Sequence, residues 1–323
     1  MSCEKYDVLR TLGGAVTRCI VLGLILSSTT VYATVDTNGG CKDLTYSLGE
    51  YISNGAHIGI ERYGPPNRSD LPAVIFVHGS AGVLSRPPGS EVPARDNFGE
   101  QQMACAGFVV FVPHYFESTA QVSATSRDII DKNASIWVQA LHDAIDYVLP
   151  SAPHGIVLFG ESLGGYLSVL LGSLDDRIVA VSEFGGGIPP NTKVVRLPPM
   201  LIEHGEKDEV VPVSEAYKLR ALAKDLRVCF RFHLYEGGHY VSNATQHKIV
   251  EHTIEFFQRN HCRSKQSDKD ASTDVNVVSN KTWESRLYGQ DLPFSMKYHR
   301  VPDCKAKPCL ARSMDFHCSS EIQ

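Results

Sequence analysis

The chain has 323 residues, 43% of them apolar and 21% charged, the balance of an ordinary soluble globular protein. That length fits one large domain or two smaller ones. A net charge of −5 and the lack of any long basic run argue against nucleic-acid binding.

The N-terminus has the layout of an export signal. Lys5, Arg10 and Arg18 precede an apolar run from Cys19 to Leu26, followed by the small polar stretch Ser27 to Thr30. Val31-Tyr32-Ala33 offers small residues where a signal peptidase reads, which predicts cleavage after Ala33. The apolar run falls well short of the roughly 20 residues that a membrane span needs. Residues 1–33 are therefore read as a signal peptide, and the remaining chain as secreted or periplasmic without a membrane span. Cys105 and Cys229 sit in apolar segments and read as small core residues. Cys41, Cys262, Cys304, Cys309 and Cys318 flank or follow the main domain, where disulfides commonly staple poorly cored extensions. No His/Cys cluster has zinc spacing, so neither metal nor cofactor is expected. Asn67, Asn133, Asn243 and Asn280 open N-x-S/T sequons.

Along the chain, Tyr51 to Arg62 reads as an antiparallel strand or hairpin. Leu71 to Val77, Phe108 to Val112 and Ile156 to Phe159 are nearly continuous apolar runs, as strands buried on both faces of a parallel sheet require. Arg177 to Val181, Pro199 to Ile202 and Val228 to Tyr235 complete the series. Between them, Asp128 to Val148 repeats apolar residues at spacings of three and four, and Val250, Ile254 and Phe257 carry a second helical stripe. Alternating strands and helices predict a doubly wound, mostly parallel α/β sheet. The domain spans 34–262. Residues 263–276 read as a polar linker and 277–323 as a cysteine-containing extension.

The strongest motif is Gly160-Glu161-Ser162-Leu163-Gly164, directly after an apolar strand and ahead of a helical stretch from Leu163 to Gly172. G-x-S-x-G carries chemistry when a sharp strand-to-helix turn holds the serine exposed at the sheet crest. The pentapeptide alone also fits a glycine-rich turn with an ordinary serine; its placement favours the nucleophile. A nucleophilic serine needs a base, and the base needs an orienting acid. His204-Gly205-Glu206-Lys207-Asp208 follows a late strand, and Glu236-Gly237-Gly238-His239 follows the next. That order, Ser162, Asp208, His239, is the order this kind of site requires. Glu203, Glu206 and Asp175 are rival acids; His204, His233, His247 and His252 are rival bases that read better as structural or surface residues. The oxyanion donors should be the backbone N–H of Leu163 and one from His78-Gly79-Ser80-Ala81-Gly82, Ser80 ahead of Ala81.

In these motifs the chain resembles the dienelactone hydrolase family, over about Tyr51 to Asn260. The HGSAG loop, GESLGGY, HGEKDEVVP and EGGHYV carry the likeness. The resemblance implies an α/β-hydrolase fold, and with only Phe184 to Pro199 between two late strands there is no room for a large cap domain. Members proper carry a cysteine nucleophile, so Ser162 shifts the expectation to a general ester or thioester hydrolase acting on small soluble substrates without a cofactor. Tyr115, Phe116, Tyr166 and the Gly185 to Pro190 loop are candidates for the substrate pocket, although each ring taken singly reads first as core packing. The elbow is also similar to that of prolyl-oligopeptidase-like peptidases. A peptidase or acyltransferase on the same triad, or a non-catalytic binding protein of this fold, are the alternatives.

Overall fold

The computed structural model describes residues 32–34, 44–66, 68, 70–83, 98–152, 154–190 and 192–261. Nearly all of the predicted signal segment, the linker, the C-terminal extension, and the sequons at Asn67 and Asn280 lie outside the described residues.

Nine strands form one sheet in the spatial order β1-β2-β3-β5-β4-β6-β7-β8-β9. They are β1 (Tyr32–Thr34), β2 (Thr45–Ser53), β3 (Ala56–Gly64), β4 (Ala73–Val77), β5 (Val109–Pro113), β6 (Ile156–Glu161), β7 (Ile178–Phe184), β8 (Met200–Gly205) and β9 (Phe230–Tyr235). The helices are α1 (Glu100–Cys105), α2 (Arg127–Val148), α3 (Leu163–Leu174), α4 (Ser214–Asp225) and α5 (Asn243–Asn260). From β5 to β9 every neighbouring pair is parallel. β1, β2 and β3 extend the sheet antiparallel. This is the doubly wound sheet expected from the alternating pattern. β1 pairs with β2 through Ala33 and Tyr46, so cleavage after Ala33 would cut within that short edge strand.

The continuous apolar runs have a direct cause. In β4, Ala73, Ile75 and Val77 join one core cluster, whereas Val74 and Phe76 join the other. β6 divides in the same way, Ile156 and Leu158 against Val157 and Phe159. Each strand is covered on both sides, and alternation disappears. Residues of α2, α3 and α4 fill the first cluster, those of α1 and α5 the second. Ser126 caps α2, its side chain accepting from Ile129 N–H at 3.3 Å. Ser242 caps α5 through Thr245 N–H, also at 3.3 Å.

The hairpin is longer than Tyr51 to Arg62. β2 and β3 pair from Thr45 with Gly64 to Ser53 with Ala56. Asn54 (φ 48°) and Gly55 (φ 82°) make its two-residue turn, both in the left-handed region that a twisted hairpin demands.

Two sequence expectations need correction. Cys105 and Cys229 are both disulfide-bonded, not free core thiols. Cys105 is exposed at the end of α1 and Cys229 half-buried just before β9, so neither is the small core side chain that its apolar neighbours suggested. Asn133 is buried, and its side-chain amide donates to Ile129 O at 2.8 Å. It is closed to a glycosyl group, whereas Asn243 at the start of α5 is exposed. No helix among the described residues is long and apolar enough to cross a membrane.

Candidate active site

The chain leaves β4 for β5 on one side of the sheet and later returns to place β6 on the other side of β4. The strand order therefore reverses between β4 and β6, which is where open α/β sheets bind ligands. β4 ends at Val77, paired with Gly160 of β6. The HGSAG loop and the serine turn thus leave adjacent strand ends.

Ser162 sits between β6 and α3 at φ 54°, ψ −119°, a conformation that side-chain-bearing residues rarely adopt. Holding it there costs of order 1–3 kcal/mol, supplied by the surrounding packing. Close approach explains the flanking glycines. A Cβ on Gly164 would run into the carbonyl oxygen of Val77 and stand 2.6 Å from that of His78. One on Gly160 would meet the carbonyl group of Gly164. The Ser162 N–H donates to Phe184 O at 2.8 Å, tying the turn to the end of β7.

The imidazole of His239 spans Ser162 and Asp208. Its Nε2 is 2.9 Å from Ser162 Oγ and its Nδ1 is 2.7 Å from Asp208 Oδ2. Asp208 is buried, and its Oδ1 accepts from Val210 N–H at 2.9 Å and Val211 N–H at 2.8 Å. The loops bearing acid and histidine are laced together: Glu206 N–H donates to Tyr235 O at 2.9 Å and Lys207 N–H to Gly237 O at 2.8 Å. The three residues singled out in the sequence therefore converge from the ends of β6, β8 and β9.

The rivals have other places. Asp175 forms a buried ion pair with Arg177 at 2.6 Å. Glu206 is exposed. Glu203 is fully buried, accepts from Tyr235 Oη, and has His252 Nδ1 3.4 Å away; burial pushes its carboxyl above the ordinary range. His252 is raised in turn, first by its bond to Glu203. His204 braces the acid loop, its Nε2 2.9 Å from Val211 O and 3.4 Å from Asp208 Oδ2. His233 stacks on His252 at 4.3 Å.

Gly79, Ser80, Ala81 and Gly82 form a turn in which Gly82 N–H donates to Gly79 O at 3.1 Å. A turn closed in this way leaves the N–H groups of its two central residues, Ser80 and Ala81, unused by the turn itself. At Gly79 a Cβ would lie 3.3 Å from Ser162 Cβ, so this backbone lies against the serine. Leu163 opens α3, where helical N–H groups have no partner within the helix. His78 is buried as expected of a structural residue, with Nδ1 2.9 Å from Gly79 O.

Tyr115 and Phe116 do not line an open pocket. Both are buried: Tyr115 stacks on His78 at 4.1 Å and 11°, and Phe116 meets the same ring edge-on at 4.8 Å. Tyr115 Oη donates to His78 O at 2.8 Å. The cause lies one residue earlier. His114 is clasped between Glu61, 3.0 Å from Nε2, and Glu117, 3.3 Å from Nδ1, which turns the 3₁₀ segment Tyr115–Thr119 inward under the HGSAG loop. Those two carboxylates outweigh burial and raise the His114 pKa. Tyr166 is half-buried on α3, and the position of a Cβ on Gly187 would be 3.1 Å from its Cε1. Burial, with Glu215 and Glu183 nearby, pushes its hydroxyl up to about 12.

Among the described residues, His142, Asp143 and Asp146 bring three metal-type ligand atoms within 4.8 Å of one another. Arg177 already pairs with Asp146 and lies 3.0 Å from His142 Nε2, so a cation of the protein itself meets that charge.

A doubly wound sheet with a strained serine turn at its reversal point, an acid and a histidine on the two following loops, defines an α/β-hydrolase. The model of the dienelactone hydrolase family matches residues 62–274, and the chain belongs to that family. No curated protein matches the chain. Among solved structures, a putative dienelactone hydrolase from Klebsiella pneumoniae is similar at 16% identity and a TM-score of 0.54, over 66% of this chain and 98% of that one. A dienelactone hydrolase-like promiscuous phosphotriesterase from metagenomic libraries is 13% identical with a TM-score of 0.54, over 68% and 99%. An acylaminoacyl peptidase from Pyrococcus horikoshii shares 16% identity at a TM-score of 0.54, over 72% of this chain but 44% of that one. At these identities the structural likeness speaks for the fold.

Proposed function

We propose that the protein is a serine hydrolase of carboxylic esters or thioesters, working through an acyl-enzyme on Ser162. The observation that carries this reading is the unbroken relay from Asp208 through His239 to Ser162, 2.7 and 2.9 Å long, on a strained turn. His239 takes the serine proton as Oγ attacks the ester carbonyl carbon. Asp208 keeps Nδ1 protonated and stabilises the imidazolium. The developing oxyanion is met by the N–H groups of Leu163 and Ser80, the first at the positive end of α3. His239 then protonates the leaving alcohol, and water repeats the sequence to free the acid.

Small soluble esters suit the site, because residues 185–190 and 192–199 form no helix over the crest. Export fits both the N-terminal apolar run and the disulfides at Cys105 and Cys229, which persist in oxidising compartments. In this reading residues 1–33 are the signal, 34–262 the catalytic domain, 263–276 a linker and 277–323 an appendage.

The test is labelling by a fluorophosphonate probe, followed by comparison of p-nitrophenyl acetate and butyrate with peptide amides. Covalent label on Ser162 and preferential ester turnover are expected. A protein that resists the probe and turns over none of these compounds would return the fold to a binding role, and faster amide cleavage would make it a peptidase.

Ser80 and Ala81 can be told apart. Ser80 is the second residue of its turn, a position that proline fits, so Ser80→Pro deletes one N–H while sparing the turn. A fall in kcat of about 10²- to 10³-fold is expected, the usual cost of one oxyanion donor. A change below about threefold would transfer the role to Ala81.

A further inference from the structure

Glu183 lies one residue from the end of β7, in a strand otherwise composed of Ile178, Val179, Ala180, Val181, Ser182 and Phe184. It is fully buried, and nothing in the mechanism above uses it. Its carboxyl is wedged between the first turn of α3 and the loop after β7. A Cβ on Gly165 would stand 3.2 Å from Oε2, and one on Gly186 2.7 Å from the same atom. The Gly186 N–H donates to Oε2 at 2.8 Å.

The two residues between join this loop to the reacting groups. Phe184 O accepts from the Ser162 N–H at 2.8 Å, and Gly185 N–H donates to Glu203 O at 3.0 Å. Gly185, at φ 64°, backs the imidazole: a Cβ there would lie 3.3 Å from His239 Cε1 and 3.7 Å from Asp208 Oδ2.

We propose that Glu183 is a positioning residue, its carboxyl pinning the Gly185–Gly187 loop so that the loop holds His239 against Ser162. The proposal rests on the reading of Ser162, His239 and Asp208 as the triad. Burial pushes the Glu183 carboxyl up to about 8, and the neighbouring Glu203 on β8 acts in the same direction. Of the other ionisable groups, Tyr166 on α3 interacts electrostatically with Glu183 and has Glu215, Arg127 and Asp208 around it in turn, while His239 and Asp208 lie beyond Gly185. At neutral pH the side chain is therefore an uncharged acid whose Oε2 receives the Gly186 N–H. Oε1 has no hydrogen-bond partner among the described residues, so ionisation would bury a charge met by the Gly186 N–H alone, a cost that shifting the loop would relieve. The folded-state value exceeds the ordinary 4.5, so this group destabilises the fold progressively as pH climbs from there towards about 8.

The experiment compares the full chain with Ser162→Ala, Glu183→Gln and Glu183→Leu on p-nitrophenyl butyrate between about pH 6 and 9.5. The wild type should lose kcat on an alkaline limb near 8, the value to which Glu183 is raised. Glu183→Gln keeps an acceptor for Gly186 but cannot ionise, so its kcat should stay level through that limb. It should also melt above the wild type by a margin that widens from about pH 5 to pH 8. Glu183→Leu leaves Gly186 N–H unpaired, and kcat should fall about 10- to 100-fold with KM changed far less, as for a small misplacement of a catalytic group. An alkaline limb retained by the glutamine variant, with kcat unchanged in the leucine variant, would overturn the positioning role. Should Glu183→Leu not fold, the pH profile of Glu183→Gln decides alone. Turnover that survives in Ser162→Ala would instead sink the triad on which the proposal rests, a failure visible without either Glu183 variant.

Discussion

Asp208→Asn should lower kcat for p-nitrophenyl esters about 10⁴-fold while leaving the fold intact. The geometry gives this substitution only one orientation. Oδ1 accepts two backbone N–H groups, from Val210 and Val211 at 2.9 and 2.8 Å, and an asparagine must turn its carbonyl oxygen there. Its NH₂ then faces His239 Nδ1, which has to accept. The imidazole proton is driven to Nε2, opposite Ser162 Oγ, and the ring can no longer take the serine proton. Ser162→Ala and His239→Ala should each cost about as much or more, up to roughly 10⁶-fold, and their combination no more than either alone. Steady-state kinetics on the three single variants and the double variant check this, with thermal melting as the folding control. Losses below about tenfold in all of them would remove the triad from the mechanism.

Gly164→Ala should be the most destabilising single change in the serine turn. The added methyl would collide with the carbonyl oxygens of Val77 and His78, both backbone atoms at the end of the central strand β4. No rotamer relieves such a clash, so β4 and α3 must separate. The expected cost is about 4 kcal/mol or more, at the exceptional end for point substitutions. For a domain of this size that lowers Tm by roughly 8–16 °C and takes up much of an ordinary margin of stability. Gly107→Ala is the control, because a Cβ there meets nothing within 4 Å at φ 98° and adds only local backbone strain of about 1–3 kcal/mol. Equal melting temperatures for the two variants would mean that the turn is not packed as described.

The parts of this architecture legible from sequence are those with a local cause. β4, β5 and β6 are buried on both faces and so read as unbroken apolar runs. The serine turn needs glycines at fixed offsets, and the acid and histidine sit where late strands run out. The hairpin was only half visible: Gly49 interrupts β2, and Asn54-Gly55 is the turn signal that marks its full length. α4 buries only Ala216, Leu219 and Ala223, too little apolar surface to give a stripe. Tyr115 and Phe116 followed a strand end near the site, yet which way they face is decided by the clasp of the neighbouring His114 and Glu117 on Glu61, a residue more than fifty positions earlier in the chain. Glu183 left one local trace, a lone carboxylate inside an apolar strand.

The backbone lacing between the Asp208 and His239 loops, and the close fit of Gly164 against Val77, divide the machinery into two rigid halves. One half carries the acid and the imidazole; the other carries the serine and the turn that faces it. The seam between them is bridged by the Ser162 N–H bond to Phe184 and by the glycine loop beyond. Warming or mild denaturant should therefore open the serine–imidazole gap before the imidazole–carboxylate one. Acylation would then fail while the histidine still held its correct tautomer, and the protein would fall silent ahead of any loss of secondary structure.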